Sequence, residues 1–383
     1  MMEYPRLTSV AIDGYRPFRE FIAELGPLEV VVGANGAGKS SLFEFLYVLK
    51  NGMNGELPPG LVSGSSSRRI YHDAGAEEIH WQCMFSAVAD TSFRYKGALT
   101  GPYGQHVSSE LLLDVEEPNA PLLAVENGKG VLRDTNHSPL VLEVSYQPRR
   151  LALGVTSITS STFLQLKEYI MNWRFYSSFN IAADIIRNPV ITEQSPVLRE
   201  DAGNLSDVLQ YLKNEHESAF AELNHYMGLY VPGFEGIKVK SYGAPGQVMA
   251  FWKEQGVDQE LSLADLSDGI FRLLCWTVLC VMPNPPSLIC IDEPDQGVHP
   301  RTLPILADLF KKASRRTQIL LATHNSYFLS MFDLSQIAVM RKEDGRAVFV
   351  KPDTSKALVG MLEDFGSGEI ERLHKSEELE QLP

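Results

Sequence analysis

The stretch GANGAGKS, Gly33 to Ser40, constrains this chain more than any other feature. It follows the apolar run LEVVV (28–32) and precedes SLFEFLYVLK, so a strand is predicted before it and a helix from Lys39 to Leu49 after it. The spacing G-x-x-x-x-G-K-S in that context is a phosphate-binding loop. Gly33, Gly36 and Gly38 permit backbone conformations closed to residues with side chains, and successive N–H groups can then face phosphate oxygens. The helix behind the loop adds its positive dipole end. Lys39 is expected to reach the β- and γ-phosphates as a point charge, and the Ser40 hydroxyl to hold Mg2+. Asn35, Ala37 and Ser41 belong to the same wrap. A glycine-rich turn without a ligand seldom ends in Gly-Lys-Ser at the start of an amphipathic helix.

The chain has 383 residues, enough for one large domain with an insertion or for two domains, and its apolar fraction of 44% can build a core. The opening MMEYPRLTSVAIDGYRPF has no sustained apolar segment of the signal-peptide kind. The longest apolar run, LLCWTVLCVM (273–282), is about half of what a bilayer crossing needs. A soluble, cytoplasmic protein is expected. Cys83, Cys275, Cys280 and Cys290 form no C-x-x-C pair and read as packing residues in a reducing compartment. With 34 Lys and Arg against 48 Asp and Glu, the net charge of −14 disfavours nonspecific adhesion to nucleic acid. The basic clusters SSSRRIYH (65–72) and QPRRL (147–151) are the candidates for a local basic patch, and the favoured reading of each is a solvated loop.

Residues before the phosphate loop alternate polar and apolar, as two or three strands do. NGMNGELPPGLVSGSSS after its helix is a loop. Short alternating runs between 76 and 146 suggest an antiparallel sheet beside the nucleotide-binding core. From about 160 to 230 the pattern turns helical: Leu205, Val208, Leu209, Leu212, Phe220, Leu223 and Met227 recur near a 3.6-residue period until Pro232 ends it. Sustained heptads are missing, which excludes a long coiled coil there. Residues 232–262 read as a strand pair. The expected organisation is an N-terminal lobe with an antiparallel β subdomain (1–150), a mainly helical insert (151–262), a C-terminal lobe (263–350) and a charged tail (351–383).

In PSLICIDEPDQGVHP (286–300) an apolar strand, Leu288 to Ile291, ends in Asp292-Glu293. An acidic residue at the C-terminal end of a parallel strand suits a phosphate-bound Mg2+, the role expected of Asp292. Glu293 is placed to polarise an attacking water as general base. A plain helix cap is the structural alternative. A second apolar strand, QILLAT (318–323), delivers His324, whose imidazole can bond the γ-phosphate or the water. In LADLSDGIFRLLCWTVLCV (263–281), Ser267 and the N–H groups of Asp268 and Gly269 stand at a helix N-terminus, a second anion-binding site. Two phosphate sites so far apart in one chain make sense if one protomer's helix caps the nucleotide held by another.

The order GANGAGKS, LSDG, LICIDEP, ATHN resembles the ABC-type ATPase head of the SMC, RecF and OLD group, and more closely the bacterial AAA-type RecF-like ATPases. In that family the signature helix begins LSDG rather than LSGGQ, and the acidic motif runs DEPE-x-x-x-HP, here DEPDQGVHP. The resemblance implies a P-loop ABC-type head of α/β class, with a mixed sheet, an antiparallel β subdomain, a helical insert and no long coiled coil. It implies ATP and Mg2+ as ligands. Lys39 and Ser40 then belong to Walker A, Asp292 and Glu293 to Walker B, Ser267 and Gly269 to the signature, and His324 to the switch histidine. Pro294 to His299 corresponds to a loop that crosses the dimer interface. IDGYRPF resembles the family's nucleotide-flanking turn and places Arg16 near the phosphates, while EDAGNLSDVLQYL resembles its insert between lobes. Gln82, Gln147 and Gln165 all stand as candidates for the glutamine that senses the γ-phosphate. The resemblance further implies a homodimer closed by sandwiched ATP and opened by hydrolysis. The partner expected is a separately encoded nuclease or toxin, in phage defence or DNA repair, since no nuclease motif follows residue 330. A RecF-like ATP-dependent DNA clamp is the alternative. A transporter subunit is disfavoured, because Asp268 stands where that signature has glycine.

Overall fold

The computed structural model describes residues 5–57, 70–72, 78–88, 91–101, 106–133, 139–142, 149–155, 161–177, 179, 186 and 188–354. Gln147, residues 65–69 of the first basic cluster, 147–148 of the second and the tail from 355 lie outside them. The chain divides into two compact units, one from 1–173 with 333–383 and the other from 174–332.

The first unit opens with strands β1 (Arg6–Asp13), β2 (Phe21–Glu24) and β3 (Leu28–Val32), then helix α1 (Lys39–Asn54). Strands β4 (Glu78–Val88), β5 (Thr91–Thr100), β6 (His106–Asp114), β7 (Leu123–Glu126), β8 (Lys129–Arg133) and β9 (Pro139–Leu142) follow, then helices α2 (Ala152–Val155) and α3 (Ser161–Met171). An antiparallel sheet runs in the order β2-β1-β4-β5-β6-β7-β8-β9. Its inward row passes from Ile12 through Trp81 and Gly97 to Glu110. The Trp81 ring fits because a Cβ on Gly97 would stand 2.8 Å from it. Glu110 is a buried carboxylate, which is tolerable only with donors around it. The Tyr95 hydroxyl donates from 2.6 Å, the Leu153 N–H from 2.8 Å and the Ala152 N–H completes the set. The start of α2 is thereby tied to β6.

The second unit holds β10 (Arg174–Tyr176), β11 (Val190–Ile191), α4 (Leu205–Glu215), α5 (Glu217–Tyr230), β12 (Phe234–Ser241), β13 (Gln247–Glu254) and β14 (Leu261–Ser262). Then come α6 (Asp268–Val281), β15 (Leu288–Asp292), α7 (Leu303–Ala313), β16 (Gln318–Thr323) and α8 (Ser326–Leu329). Strands β10, β15 and β16 are parallel neighbours. β12, β11 and β14 pair antiparallel with β13. Every residue of α6 from Leu273 to Val281 is buried, as a helix apolar all round requires, and it packs against α5 and α7. Three polar residues of EDAGNLSDV, Asn204, Ser206 and Asp207, are buried staples. Asn204 accepts from the Arg199 N–H and donates to the Val197 carbonyl, the Ser206 hydroxyl accepts from the Ala250 N–H, and Asp207 accepts from the Glu193 N–H.

The chain then returns to the first unit with β17 (Ile337–Glu343) and β18 (Arg346–Val350). β17 lies parallel to β3 and antiparallel to β18. Among the described residues the longest helix is α1, with 16 residues, and no described helix is long and apolar enough to cross a membrane.

Candidate functional site

In the first unit β3 is buried at every position, so the chain leaves the core abruptly at Gly33. Gly33, Gly36 and Gly38 all have positive φ. At Gly33 the requirement is steric as well, because a Cβ there would lie 1.9 Å from the Met340 carbonyl oxygen on β17. Gly38 caps α1 in a left-handed conformation, and Lys39 is the first helical residue. The Lys39 ammonium turns back over the loop and donates to the carbonyls of Gly33 at 2.5 Å and Ala34 at 3.3 Å. The ammonium is thus held over the loop of which Asn35, Ala37, Ser40 and Ser41 form part, whose main-chain N–H groups can face an anion.

Arg16 has φ +48, and its guanidinium is engaged by Glu44 on α1, with Nη2 3.3 Å from Oε1 and a second bond from Nη1 to Oε2. Its main chain is fixed too, the N–H donating to Ile70 O at 2.8 Å and the carbonyl lying 2.7 Å from His72 Nδ1. The structure therefore places Arg16 as a brace between the β1–β2 turn and the helix that starts at Lys39. Gln82 lies on β4 and Gln165 is exposed on α3, both in this unit.

In the second unit β15 and β16 end side by side, Asp292 opposite Ala322. Glu293 follows with φ +54, a conformation that costs a side-chain-bearing residue roughly 1–2 kcal/mol. Its N–H donates to Ala322 O at 2.8 Å. His324 Nδ1 lies 2.7 Å from Glu293 Oε1, whereas Oε2 is buried with no hydrogen-bond partner among the described residues. Burial pushes this carboxyl above the usual carboxylate range; His324 opposes the shift, and Asp295 and Asp292 add to it. The His324 side chain is 68% exposed and that of Glu293 22%, so the imidazole is open to an incoming group and the carboxylate is recessed behind it.

Three residues not singled out from the sequence hold this arrangement. Asp295 is buried and accepts from the Thr323 hydroxyl at 2.8 Å and the Asn325 amide at 2.9 Å. Asn325 also caps α8 through the N–H groups of Tyr327 and Phe328. His324 is thus flanked on both sides by ligands of Asp295. The signal was present in DEPDQGVHP and ATHN, but only the strand register shows that Asp295 reaches both neighbours of the histidine. His299 receives the Arg301 N–H at the start of a short 3-10 turn with Pro300 in its first position. Ser267 is the N-cap of α6 with extended backbone, and Asp268 and Gly269 form its first turn, so the N–H groups there point out of the helix as an anion site needs.

Within the first unit the glycine loop and Lys39 have the donors that phosphate oxygens need, and within the second Asp292 and Glu293 stand at the end of a strand with Glu293 Oε2 free of a hydrogen-bond partner among the described residues.

No curated protein matches the chain. Among solved structures it is similar to an Smc head bound to the C-terminal winged-helix domain of ScpA, with 15% identity, a TM-score of 0.58 and coverage of 92% of this chain and 99% of that one. It is similar as well to the Smc head of Pyrococcus furiosus bound to the C-terminal domain of ScpA, at 11% identity and TM-score 0.58 over 94% of this chain and 100% of that one. The Smc head of Pyrococcus yayanosii, with a coiled coil and joint, gives 11% identity and TM-score 0.53 over 94% of this chain and 99% of that one. Identities this low show the fold alone, that of an Smc head domain. A family model described as AAA domain, putative AbiEii toxin, Type IV TA system, matches residues 130–330. That span is more than half of the 383 residues, so the chain belongs to this AAA-domain family and has the fold of an Smc head.

Proposed function

We propose that the chain binds Mg-ATP and hydrolyses it, with Lys39 and its loop taking the phosphates and Glu293 the attacking water. The observation that carries this reading is Glu293: a strained backbone holds a recessed carboxylate with one oxygen bonded to His324 and the other unpaired. A buried acceptor without a donor is costly unless a ligand or water supplies one, and a water poised for attack is such a donor. Glu293 orients that water and receives its proton, and His324 fixes the carboxylate rotamer and offers its outer nitrogen to the terminal phosphate. Lys39 and the loop N–H groups bind the phosphates. Ser40 and Asp292 are the residues that would hold a bound Mg2+, which would supply charge neutralisation for the phosphoryl oxygens.

Ser267, Asp268 and Gly269 form the second anion site, and they serve the nucleotide of a second copy, so that ATP closes a homodimer and hydrolysis opens it. The chain acts on a separately encoded protein in phage defence or repair. The family's description as a putative toxin of a Type IV system fits a two-component arrangement, as does the binding of ScpA by Smc heads. DNA is less suited as the main partner. The net charge is −14, and the exposed Lys238 and Lys240 of β12 are both paired with Glu260.

Glu293→Gln tests the reading. Removing the base lowers kcat by about a hundredfold or more while ATP binding persists, and light scattering with ATP shows a stable dimer. Turnover within about threefold of wild type would remove Glu293 from the chemistry. An ATP-dependent dimer that DNA strengthens and salt weakens would shift the partner from protein to nucleic acid.

A further inference from the structure

The loop that follows Glu293 is gripped along its length by helix α6. Gly269, Arg272 and Trp276 share one face of that helix, by their spacing of three and four residues. At its N-terminal end a Cβ on Gly269 would lie 2.6 Å from the Gly297 carbonyl oxygen, so helix and loop touch there backbone to backbone. One turn on, Arg272 Nη1 donates to the Gln296 carbonyl. Another turn on, Trp276 Nε1 donates to the Pro294 carbonyl at 3.0 Å. Trp276 is fully buried against Tyr176 and Phe179 and is as immobile as the core itself. Arg272 is half-buried and bridges helix and loop at their surface. On the loop's other side Asp295 is bound to Thr323 and Asn325. Glu293, at the head of the loop, therefore has no independent freedom: its position follows that of α6.

We propose that Arg272 is a positioning residue for the hydrolytic reaction, coupling the anion-binding N-terminus of α6 to the base. The proposal rests on the ATPase reading above. A force on Ser267, Asp268 and Gly269 moves the first turn of α6, the Arg272 guanidinium carries that displacement to the Gln296 carbonyl, and the loop delivers it to Glu293. Trp276 is the fixed pivot further along the helix. The base is thus brought to its working position when the second anion site is engaged, and turnover is confined to the closed pair.

The test compares Arg272→Ala and Arg272→Lys with wild type in the full chain. Displacement of a catalytic group by about 1 Å can cost on the order of a hundredfold in rate, so Arg272→Ala lowers kcat by about ten- to a hundredfold. Its KM for ATP stays within about threefold and its melting temperature within a few degrees, because the Arg272 guanidinium is spent on the Gln296 carbonyl and its half-buried side chain fills little of the core. Arg272→Lys keeps a donor for the carbonyl and recovers a large part of the rate, as does millimolar guanidinium added to the alanine variant. Loss of kcat together with thermal stability, or no rescue by either donor, would overturn the coupling. Amide exchange gives a readout that needs no turnover. The Gln296 N–H donates to Glu293 O and the Val298 N–H to Asp295 O, both at 3.1 Å, and in Arg272→Ala both exchange faster by about tenfold while β15 is unchanged. If wild type itself fails to turn over ATP, the ATPase reading falls and exchange alone decides the grip; unchanged exchange at 296 and 298 disproves it.

Discussion

The two loops that carry the candidate chemistry both leave a buried parallel strand, yet they are held in different ways. The phosphate loop after β3 is shaped by its own main chain: glycines at positive φ, a lysine folded onto the carbonyls of Gly33 and Ala34, and backbone contact with β17 at Gly33. The acidic loop after β15 is shaped by side chains from elsewhere: Asp295 on Thr323 and Asn325, His324 on Glu293, Arg272 and Trp276 on the loop carbonyls. The first is local and stiff. The second is assembled from three elements and can be adjusted by any of them, as suits a loop whose base must respond to binding.

The sharpest way to break the contrast is Gly33→Ala. A Cβ 1.9 Å from a main-chain oxygen forces β3 and β17 apart and places alanine at φ +156, so the cost is about 4 kcal/mol. Denaturant unfolding should show the loss and nucleotide affinity should fall with it. A midpoint shift worth under about 1 kcal/mol would mean that this loop is as adaptable as its counterpart. Next in size is Asp295→Ala, which strips the Thr323 hydroxyl and the Asn325 amide of a buried acceptor at an expected cost of about 2–3 kcal/mol. Here kcat should fall further than stability suggests, since both neighbours of His324 lose their anchor. Equal effects on kcat and on KM for ATP would instead place Asp295 in binding.

That contrast also explains how far the sequence could be read. GANGAGKS is legible because its glycines and Lys39 shape it mainly through its own main chain, so spacing carries most of the geometry, whereas the contact of Gly33 with Met340 on β17 had no local signal. LICIDEP and ATHN were legible as strand ends that bear Asp292, Glu293 and His324. The network around Asp295 and the grip of Arg272 were not, because both depend on the register of β15 against β16 and on which face of α6 meets the loop. Arg16 shows the same limit: its turn is readable, but the engagement of its guanidinium by Glu44 on α1 needed the fold. Asn204, Ser206 and Asp207, noticed as a family-like motif, are polar staples whose partners lie on other segments. The head fold was legible through its motif order, whereas the return of β17 to β3 is a long-range pairing with no local signal.

The smallest effect tests the strands rather than the loops. β15 is apolar up to Asp292, while β3 carries Glu29, with no solvent exposure, bonded to the Lys351 ammonium at 2.6 and 2.7 Å. Burial pushes the Glu29 carboxyl up to about 7 from its ordinary 4.5, against the pull of Lys351. A carboxyl raised in the fold binds its proton more tightly there than in the unfolded chain. Its contribution to stability is therefore complete below about pH 4.5 and is lost as pH rises through 7. The stability difference between wild type and Glu29→Gln should accordingly move against wild type between pH 5 and 8, by at most about 1.4 kcal/mol per pH unit. Other titrating groups are common to both proteins and cancel in the difference. If the difference instead moves in favour of wild type as pH rises, the ion pair outweighs burial, and the strand feeding the phosphate loop is held by charge.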